Sequence, residues 1–426
     1  MRSLKQKKNT MAFLKYAVVF FVSIFTIFLV TVSSCLIPRE WTKENVIKSV
    51  EETENEIMTM VTQKKSKPYK QFEEFGDVRN YAMIYYINES DPIRSAVEMN
   101  YSLACDHMRD CADAMKGTGQ TDERSQFMVS YNRYWQGQSV VLHFLTIFGS
   151  FLSTRAFLTI VFIILTAFVI YKLFKEDKKL AVAFVVGLSS INTAFMTRSL
   201  EFLPVMFVLM ITILLVLKAR KNGGKNLGIV FLIMGVLTCY LDFLTCETIV
   251  LSVPLIIYAY LNIKEGKGIK MKRILFLILM WGIGYAGAFI AKWIISFLFM
   301  GDSVIKDIAT NTVGHKINAP LLEKIIAPIT LSFSKLLPFA QLGKYGGIYA
   351  LILFVICFIY TFRKNKKYLP LFAICLIPIL RFSVINAHSI LLNYFTYRAF
   401  LCVAIVIALV IIDAVVQKIA SRKRKS

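Results

Sequence analysis

The sequence has few of the residues from which catalytic and metal sites are usually built. It contains only four histidines among 426 residues, and its eight cysteines follow no metal-binding spacing. It has no glycine-rich phosphate-binding loop, no Gly-x-Ser-x-Gly motif and no His-Glu-x-x-His motif. We therefore predict no metal site, and the sequence identifies no cofactor.

Negative charge is also scarce, because 27 Asp or Glu stand against 50 Lys or Arg, which gives a net charge of +23. Nucleic-acid-binding proteins share this balance, but their basic residues form a patch or stripe on one face. Here the basic residues form short clusters between apolar runs, where a membrane protein needs them for orientation. We expect a lipid bilayer as the partner and no nucleic acid.

Hydrophobic residues make up 56% of the chain, and the mean hydropathy is +0.59. A run of about 18 apolar residues spans the hydrocarbon core, where a helix satisfies its own backbone hydrogen bonds. The sequence therefore predicts an all-α, polytopic membrane protein with about ten transmembrane helices. The expected helices cover residues 16–36, 156–174, 180–197, 203–217, 227–241, 248–261, 274–299, 347–362, 368–380 and 399–416. The first is longer than the 7–15 apolar residues typical of a cleaved signal peptide, so we expect it to be retained.

Basic residues alternate along the chain in a pattern that predicts its orientation. Both termini and every second connection between the predicted helices are basic, and these six segments together hold 26 Lys or Arg. The short connections on the other side hold few. The six are residues 1–10, 172–179, 218–226, 264–273, 363–367 and 417–426. An excess of positive charge is typical of cytoplasmic loops. We expect a multi-pass protein of the plasma membrane with both termini in the cytoplasm.

Residues 39–138 form the one large segment expected outside the membrane. The segment carries 17 Asp or Glu and 13 Lys or Arg. Apolar periodicity at residues 45–61 and 82–108 predicts a mostly helical extracytoplasmic lobe, with a break at Asp91–Pro92. A disulfide between Cys105 and Cys111 is one possibility in an oxidising compartment, and it requires the helix to end between them.

The remaining divisions follow from hydropathy. Residues 1–38 hold the basic N-terminus and the first helix, and residues 139–155 are expected to form an interfacial or re-entrant helix. Residues 156–416 form the other nine helices, among which residues 300–346 are predicted to be an outer loop that dips into the membrane. Residues 417–426 form a basic cytoplasmic tail.

Charged residues at the outer ends of the predicted helices are the candidates for a functional site. Glu40 follows the first helix, either as an interfacial anchor beside Arg39 or as a base or metal ligand. Arg198 and Glu201 lie in the short turn between the third and fourth helices, either as a mutual ion pair or as functional groups. Charges at this depth are costly unless they are paired or functional.

Asp242 lies in the segment 240–247, which joins the short fifth and sixth helices. The segment holds two acids, Asp242 and Glu247, and acids there need a watery cavity or cationic partners. The available partners are Lys292, Arg381 and Arg398, with His388 between the last two. These residues form either a structural charge network or a site that holds an anionic substrate.

The aromatic segment 131–137, with Trp135 at its centre, precedes the expected interfacial helix. Such residues are typical of the aromatic belt at a membrane surface, and aromatic faces also stack against sugar rings. Trp135 is therefore either an interface anchor or a contact for a sugar.

The layout of the first half of the chain resembles that of multi-spanning glycosyltransferases of the GT-C type. In both, a large outer segment follows the first helix, an acid lies near its start (Glu40), and a second acid follows the third helix (Glu201). Segments 131–137 and 240–245 also resemble uncharacterised multi-pass membrane proteins of Gram-positive bacteria.

The resemblance implies transfer of a sugar from a polyprenyl-phosphate-linked donor to a cell-surface glycan or lipid on the outer side. The expected catalytic carboxylates are Glu40, Glu201 and Asp242. The expected substrate-binding residues are Arg198, Lys292, Arg381, His388, Arg398 and Trp135. Two other classes stay open: a transporter or flippase for a lipid-linked or anionic substrate, and a non-catalytic assembly protein of the cell envelope.

Overall fold

The structure, a computed structural model, describes residues 2–62, 75–106, 111–117, 127–242, 244–313 and 321–423. Within these residues the chain forms twenty α-helices and one two-stranded antiparallel sheet, which confirms the all-α class. The helices are α1 (Arg2–Cys35), α2 (Arg39–Thr62), α3 (Phe75–Tyr85), α4 (Pro92–Glu98), α5 (Cys111–Lys116), α6 (Gly137–Thr146), α7 (Phe151–Glu176), α8 (Lys178–Ser190), α9 (Thr193–Met196), α10 (Leu203–Lys221), α11 (Leu227–Leu241), α12 (Thr248–Lys264), α13 (Met271–Met300), α14 (Asp302–Val313), α15 (Leu321–Lys335), α16 (Gly346–Lys364), α17 (Leu369–Val384), α18 (Asn386–Leu391), α19 (Asn393–Thr396) and α20 (Leu401–Lys423). The strands are β1 (Asn100–Ser102) and β2 (Met128–Ser130).

Seven helical segments of the described chain are long and apolar enough to cross a membrane. They are Phe13–Cys35, Phe151–Glu176, Leu203–Lys221, Met271–Met300, Gly346–Lys364, Lys366–Val384 and Asn393–Arg422. Their outer surfaces are apolar: Ile160, Ile163 and Ile164 of α7 are 58%, 59% and 64% exposed. Exposed apolar surface on this scale marks contact with lipid or with another protein, so the fold fits a multi-pass protein in a bilayer.

Three segments differ from the sequence-based prediction. The expected helix at 180–197 is divided into α8 and α9, because the chain breaks at Asn192, which has a positive φ of 54°. Asn tolerates this left-handed conformation better than most residues. The expected helix at 139–155 is also divided, because α6 ends at Thr146 and α7 begins at Phe151. The predicted outer loop at 300–346 is largely helical, since it contains α14 and α15.

The lobe at residues 39–138 is mainly helical in its described part, as predicted. Asp91 accepts a hydrogen bond from the Arg94 amide at 3.2 Å and caps α4 at Pro92, which confirms the predicted break. The short sheet between β1 and β2 was not predicted. Cys105 and Cys111 form a disulfide, and the 3-10 turn Leu103–Asp106 ends between them, as the bridge requires.

The lobe has an apolar core that includes Val50, Val78 and Tyr81 and continues to Phe151 and Leu200 of the helical bundle. Backbone carbonyls at its C-terminal end are tied to α13. Ser296 Oγ donates to the Asn132 carbonyl at 2.9 Å, and Trp293 Nε1 donates to the Arg133 carbonyl at 3.1 Å. The lobe is therefore packed against the helical bundle rather than tethered to it.

Candidate functional site

The turn between α9 and α10 is fastened to helix α3 of the lobe. Asp77 Oδ2 accepts a hydrogen bond from the Leu200 amide at 3.0 Å, and Asp77 is fully buried. A Cβ atom added to Gly76 would lie 1.9 Å from Glu201 Oε2. The Glu201 carboxylate therefore rests directly on the backbone of α3, in a space that only glycine leaves open.

Burial raises the pKa of Asp77 to about 7, although hydrogen bonds from the Leu200 amide, Ser199 and the Glu201 amide oppose the shift. One oxygen, Oδ1, has no hydrogen-bond partner among the described residues. A carboxyl group with this pKa exchanges protons near neutral pH. Asp77 and Glu201 thus bring two carboxyl groups to the contact between helix α3 of the lobe and the turn between α9 and α10.

Gln138 at the start of α6 joins this turn to the turn that follows α11. Its Nε2 donates to the Glu201 carbonyl at 3.0 Å and to the Leu241 carbonyl at 2.9 Å. Gln138 is buried, so both bonds are sheltered from water. Since Asp242 follows Leu241 directly, the structure brings two of the predicted acids, Glu201 and Asp242, to one place.

Asp242 has a local structural role in this arrangement. It is buried, and its Oδ2 accepts a hydrogen bond from the Thr245 amide at 3.1 Å. The Thr245 hydroxyl donates to the other oxygen, Oδ1. A carboxylate that bonds the backbone a few residues ahead stabilises a turn, and here it shapes the segment between α11 and α12.

Arg381 pairs with Glu247, one of the two acids of the segment 240–247 for which Arg381 was a predicted partner. Arg381 Nε lies 2.8 Å from Glu247 Oε1, and the two side chains are 5% and 3% exposed. Arg381 also donates to Ser389 Oγ at 2.7 Å and to the Leu244 carbonyl at 2.8 Å. The guanidinium is engaged on every side, which fits a structural charge network at this position.

Lys292 also forms hydrogen bonds, although no acid among the described residues contacts it. Its Nζ donates to the Val97 carbonyl at 2.7 Å and the Ala96 carbonyl at 3.4 Å. These carbonyls belong to the last turn of α4, where the helix dipole favours a positive charge. Lys292 therefore fastens α13 to the lobe, and it lies 5.7 Å from the centre of the Trp135 ring. Trp135 itself is buried, and its Nε1 donates to the Ala288 carbonyl at 2.7 Å.

Arg398 differs from the other buried cations. It is 1% exposed, and its Nη1 donates to the Tyr394 carbonyl at 3.2 Å. Its Nε and Nη2 have no hydrogen-bond partner among the described residues. Its guanidinium carbon lies 5.9 Å from the centre of the Phe202 ring, so Arg398 is next to the Glu201 turn.

The other predicted residues lie further out or have weaker links to this group. Glu40 is exposed in the first turn of α2, and no described contact joins it to Glu201 or Asp242. Arg198 is exposed, and its carbonyl accepts a bond from Arg155 Nη1 at 3.3 Å. The His388 ring lies 6.1 Å from the Phe395 ring, which in turn packs on Phe202.

Sequence reasoning missed Asp77, Gln138 and Lys335, the last residue of α15, and it did not choose between Asp242 and Glu247 as the ion-pair partner of Arg381. Glu247 could have been chosen, because it lies in the same charged segment as Asp242. No local signal marks Asp77 or Gln138, since each is one polar residue in a helix. Their importance comes from long-range contacts with residues 200, 201 and 241.

No group of three or more His, Cys, Asp or Glu side chains that could hold a metal occurs in the described part of the chain. Comparison of the chain with known protein families, with curated proteins and with solved structures gives no match. The function must therefore be argued from the geometry of the residues described above.

Proposed function

We propose that the chain crosses the membrane ten times, with both termini in the cytoplasm and the lobe outside. The seven long apolar segments, the shorter α11 and α12, and α8 supply the ten spans. The 26 basic residues of the six alternate connections favour this orientation. The Cys105–Cys111 disulfide supports it too, because disulfides persist in oxidising compartments.

Within this topology we infer a glycosyltransferase that takes a sugar from a polyprenyl-phosphate carrier at the outer membrane surface. The observation that carries the inference is the double hydrogen bond of Gln138, which holds the Glu201 and Asp242 turns together beside the lobe. An acid at a membrane surface, next to a buried arginine with unused donors, combines a proton acceptor with a phosphate-binding cation.

The chemistry follows from these two groups. A carboxylate removes the proton of an acceptor hydroxyl as its oxygen attacks the anomeric carbon of the sugar. The bond between that carbon and the phosphate oxygen breaks, and the phosphate leaves with the electron pair. A nearby guanidinium stabilises the negative charge that develops on it.

Glu201 is the better base of the two clustered acids. It is only half-buried and can therefore meet a substrate, whereas Asp242 is buried within the turn that its bonds to Thr245 hold. Asp242 would instead hold the turn in shape. Glu40 stays a sequence-based prediction for a catalytic carboxylate, and Arg198, His388 and Trp135 stay sequence-based predictions for substrate binding.

Chemical analysis of a strain that lacks the chain tests this proposal. Loss of a transferase should leave one sugar missing from a surface glycan or lipid, and the lipid-linked donor of that sugar should accumulate on the outer leaflet. Accumulation of the donor on the inner leaflet would point to a flippase instead. An unchanged set of glycans and lipid-linked sugars would contradict both activities.

A further inference from the structure

Two positive charges lie together in the bundle beside the Glu201 turn, and the described residues supply no acid to either. Arg398 is buried with two unused donors, Nε and Nη2. Lys335, at the end of α15, makes no ion pair or hydrogen bond within the described chain. Burying a charge without a partner is strongly unfavourable, so the buried Arg398, with the half-buried Lys335 near it, calls for an anion that the described residues do not provide.

Helix α15 brings the two cations together. Its Ser332 accepts a hydrogen bond from Asn393 Nδ2 at 3.1 Å, and the Phe333 ring packs 4.8 Å from the Phe400 ring. These contacts fasten α15 to residues 393–400 on both sides of Arg398. The pKa of Lys335 is lowered to about 8, first by burial and then by the charge of Arg398.

We propose that Arg398 and Lys335 form a binding site for a phosphoryl group. A guanidinium with two free donors on one edge matches the paired oxygens of a phosphate, and the lysine adds a second positive charge. This inference rests on the proposed function, since it places the phosphate of the carrier lipid. It places the phosphate at Arg398 and Lys335 rather than at Arg381 or Lys292.

Those other cations do not offer such a site. Arg381 is engaged by Glu247, Ser389 and the Leu244 carbonyl. Lys292 donates to two carbonyls of α4. A phosphate at either position would have to displace existing bonds, whereas at Arg398 it would fill donors that are unused.

Binding of farnesyl phosphate to the full chain in phosphatidylcholine nanodiscs tests the site. We expect the wild type to bind it, and both Arg398→Gln and Lys335→Gln to weaken binding by about ten-fold or more, because each removes at least one hydrogen bond to a charged group. Arg398→Lys keeps the charge and should lose less. Arg363→Gln, at an exposed arginine of α16, is the matched control and should bind as the wild type does.

Farnesol and inorganic phosphate separate the possible sources of the anion. Binding of farnesyl phosphate alone supports a lipid phosphate, and equal binding of inorganic phosphate supports a free phosphate at the same site. Unchanged affinity in well-folded Arg398→Gln and Lys335→Gln, or equal binding of farnesol, would overturn the proposal. Because the assay needs no turnover, the site can stand even if sugar transfer is disproved, and transfer can stand if the phosphate binds elsewhere.

Discussion

The Arg381 guanidinium and the Glu247 carboxylate form an ion pair that is closed off from solvent, with Nε and Oε1 2.8 Å apart. The pair joins α17 to the start of α12, beside the Asp242 turn. Its charges compensate each other, whereas Arg398 has no such partner among the described residues. Arg381 therefore stabilises the fold, whereas Arg398 is the residue that we propose binds a ligand.

Removal of one member of the buried pair should destabilise the protein. Glu247→Gln leaves Arg381 charged and uncompensated, and we expect a loss of about 3–5 kcal/mol in the free energy of unfolding. The double variant Glu247→Gln with Arg381→Gln should recover part of that loss. Thermal unfolding in detergent measures the loss. Glu265→Gln is the control, because this change removes an exposed partner of Arg220 and should cost about 0–1 kcal/mol. A Glu247→Gln variant as stable as the wild type would show that the pair is not structural.

Gly76→Ala should reduce activity with little effect on stability. The new methyl group would meet Glu201 Oε2 at 1.9 Å, and the flexible end of the glutamate can swing away without disturbing the backbone. The proposed base would then be displaced. Gly282→Ala is the control, because a Cβ there meets nothing within 4 Å. The amount of surface glycan, divided by the amount of protein in the membrane, provides the measurement. Full activity in Gly76→Ala would argue against Glu201 as the base.

The raised pKa of Asp77 should make stability fall as pH rises. The unfolded chain loses this proton near pH 4, whereas the folded protein keeps it until about pH 7. Its stabilising contribution is therefore complete below pH 4 and is lost as the pH rises through 7. Asp77→Asn should remove this part of the profile.

Melting temperatures between pH 4 and pH 8 measure the difference between Asp77→Asn and the wild type. Burial lowers the pKa of His143 to about 4, so this residue acts in the opposite direction, but its effect cancels in the difference. Asp113→Asn, at an exposed residue of the same lobe, serves as the control. Identical profiles for Asp77→Asn and the wild type would contradict the assignment.

The proposed topology predicts which positions a membrane-impermeant thiol reagent reaches from outside. A cysteine at Lys116 should be labelled, and cysteines at Lys221 and Lys364 should not. All three positions are exposed, and the six free cysteines of the chain are buried, so background labelling should be low. Labelling at Lys221 in intact cells would rule out the ten-span arrangement.

The sequence was sufficient to predict elements whose signals are local. Long apolar runs mark the membrane helices, and Asp91–Pro92 marks the start of α4 because the acid caps the helix and proline fits its first turn. The break at Asn192 was missed because the surrounding residues favour a continuous helix and only the backbone conformation reveals it. The helix at 321–335 was missed because Pro328, which lies inside it, was given too much weight as a helix breaker.

The partners of the charged residues were harder to predict. Arg381 was a predicted partner for both acids of the segment 240–247, and Glu247, the residue that precedes α12, is the one that forms the ion pair. Lys292 was expected to need an acid, yet the carbonyls of α4 satisfy it. Such pairings depend on how helices that are distant in sequence pack together, and the spacing of residues along the sequence does not predict that packing.

The most direct test of the proposed activity is the surface glycan of cells in which Glu201→Gln or Asp242→Asn replaces the wild-type chain. The account predicts loss of the transferred sugar for Glu201→Gln, with normal amounts of protein in the membrane. Asp242→Asn should lose activity too, because the turn that holds the site would relax. Glu44→Gln and Asp113→Asn, both exposed in the lobe, should behave as the wild type does. A normal glycan in a well-expressed Glu201→Gln strain would contradict the proposed transferase mechanism.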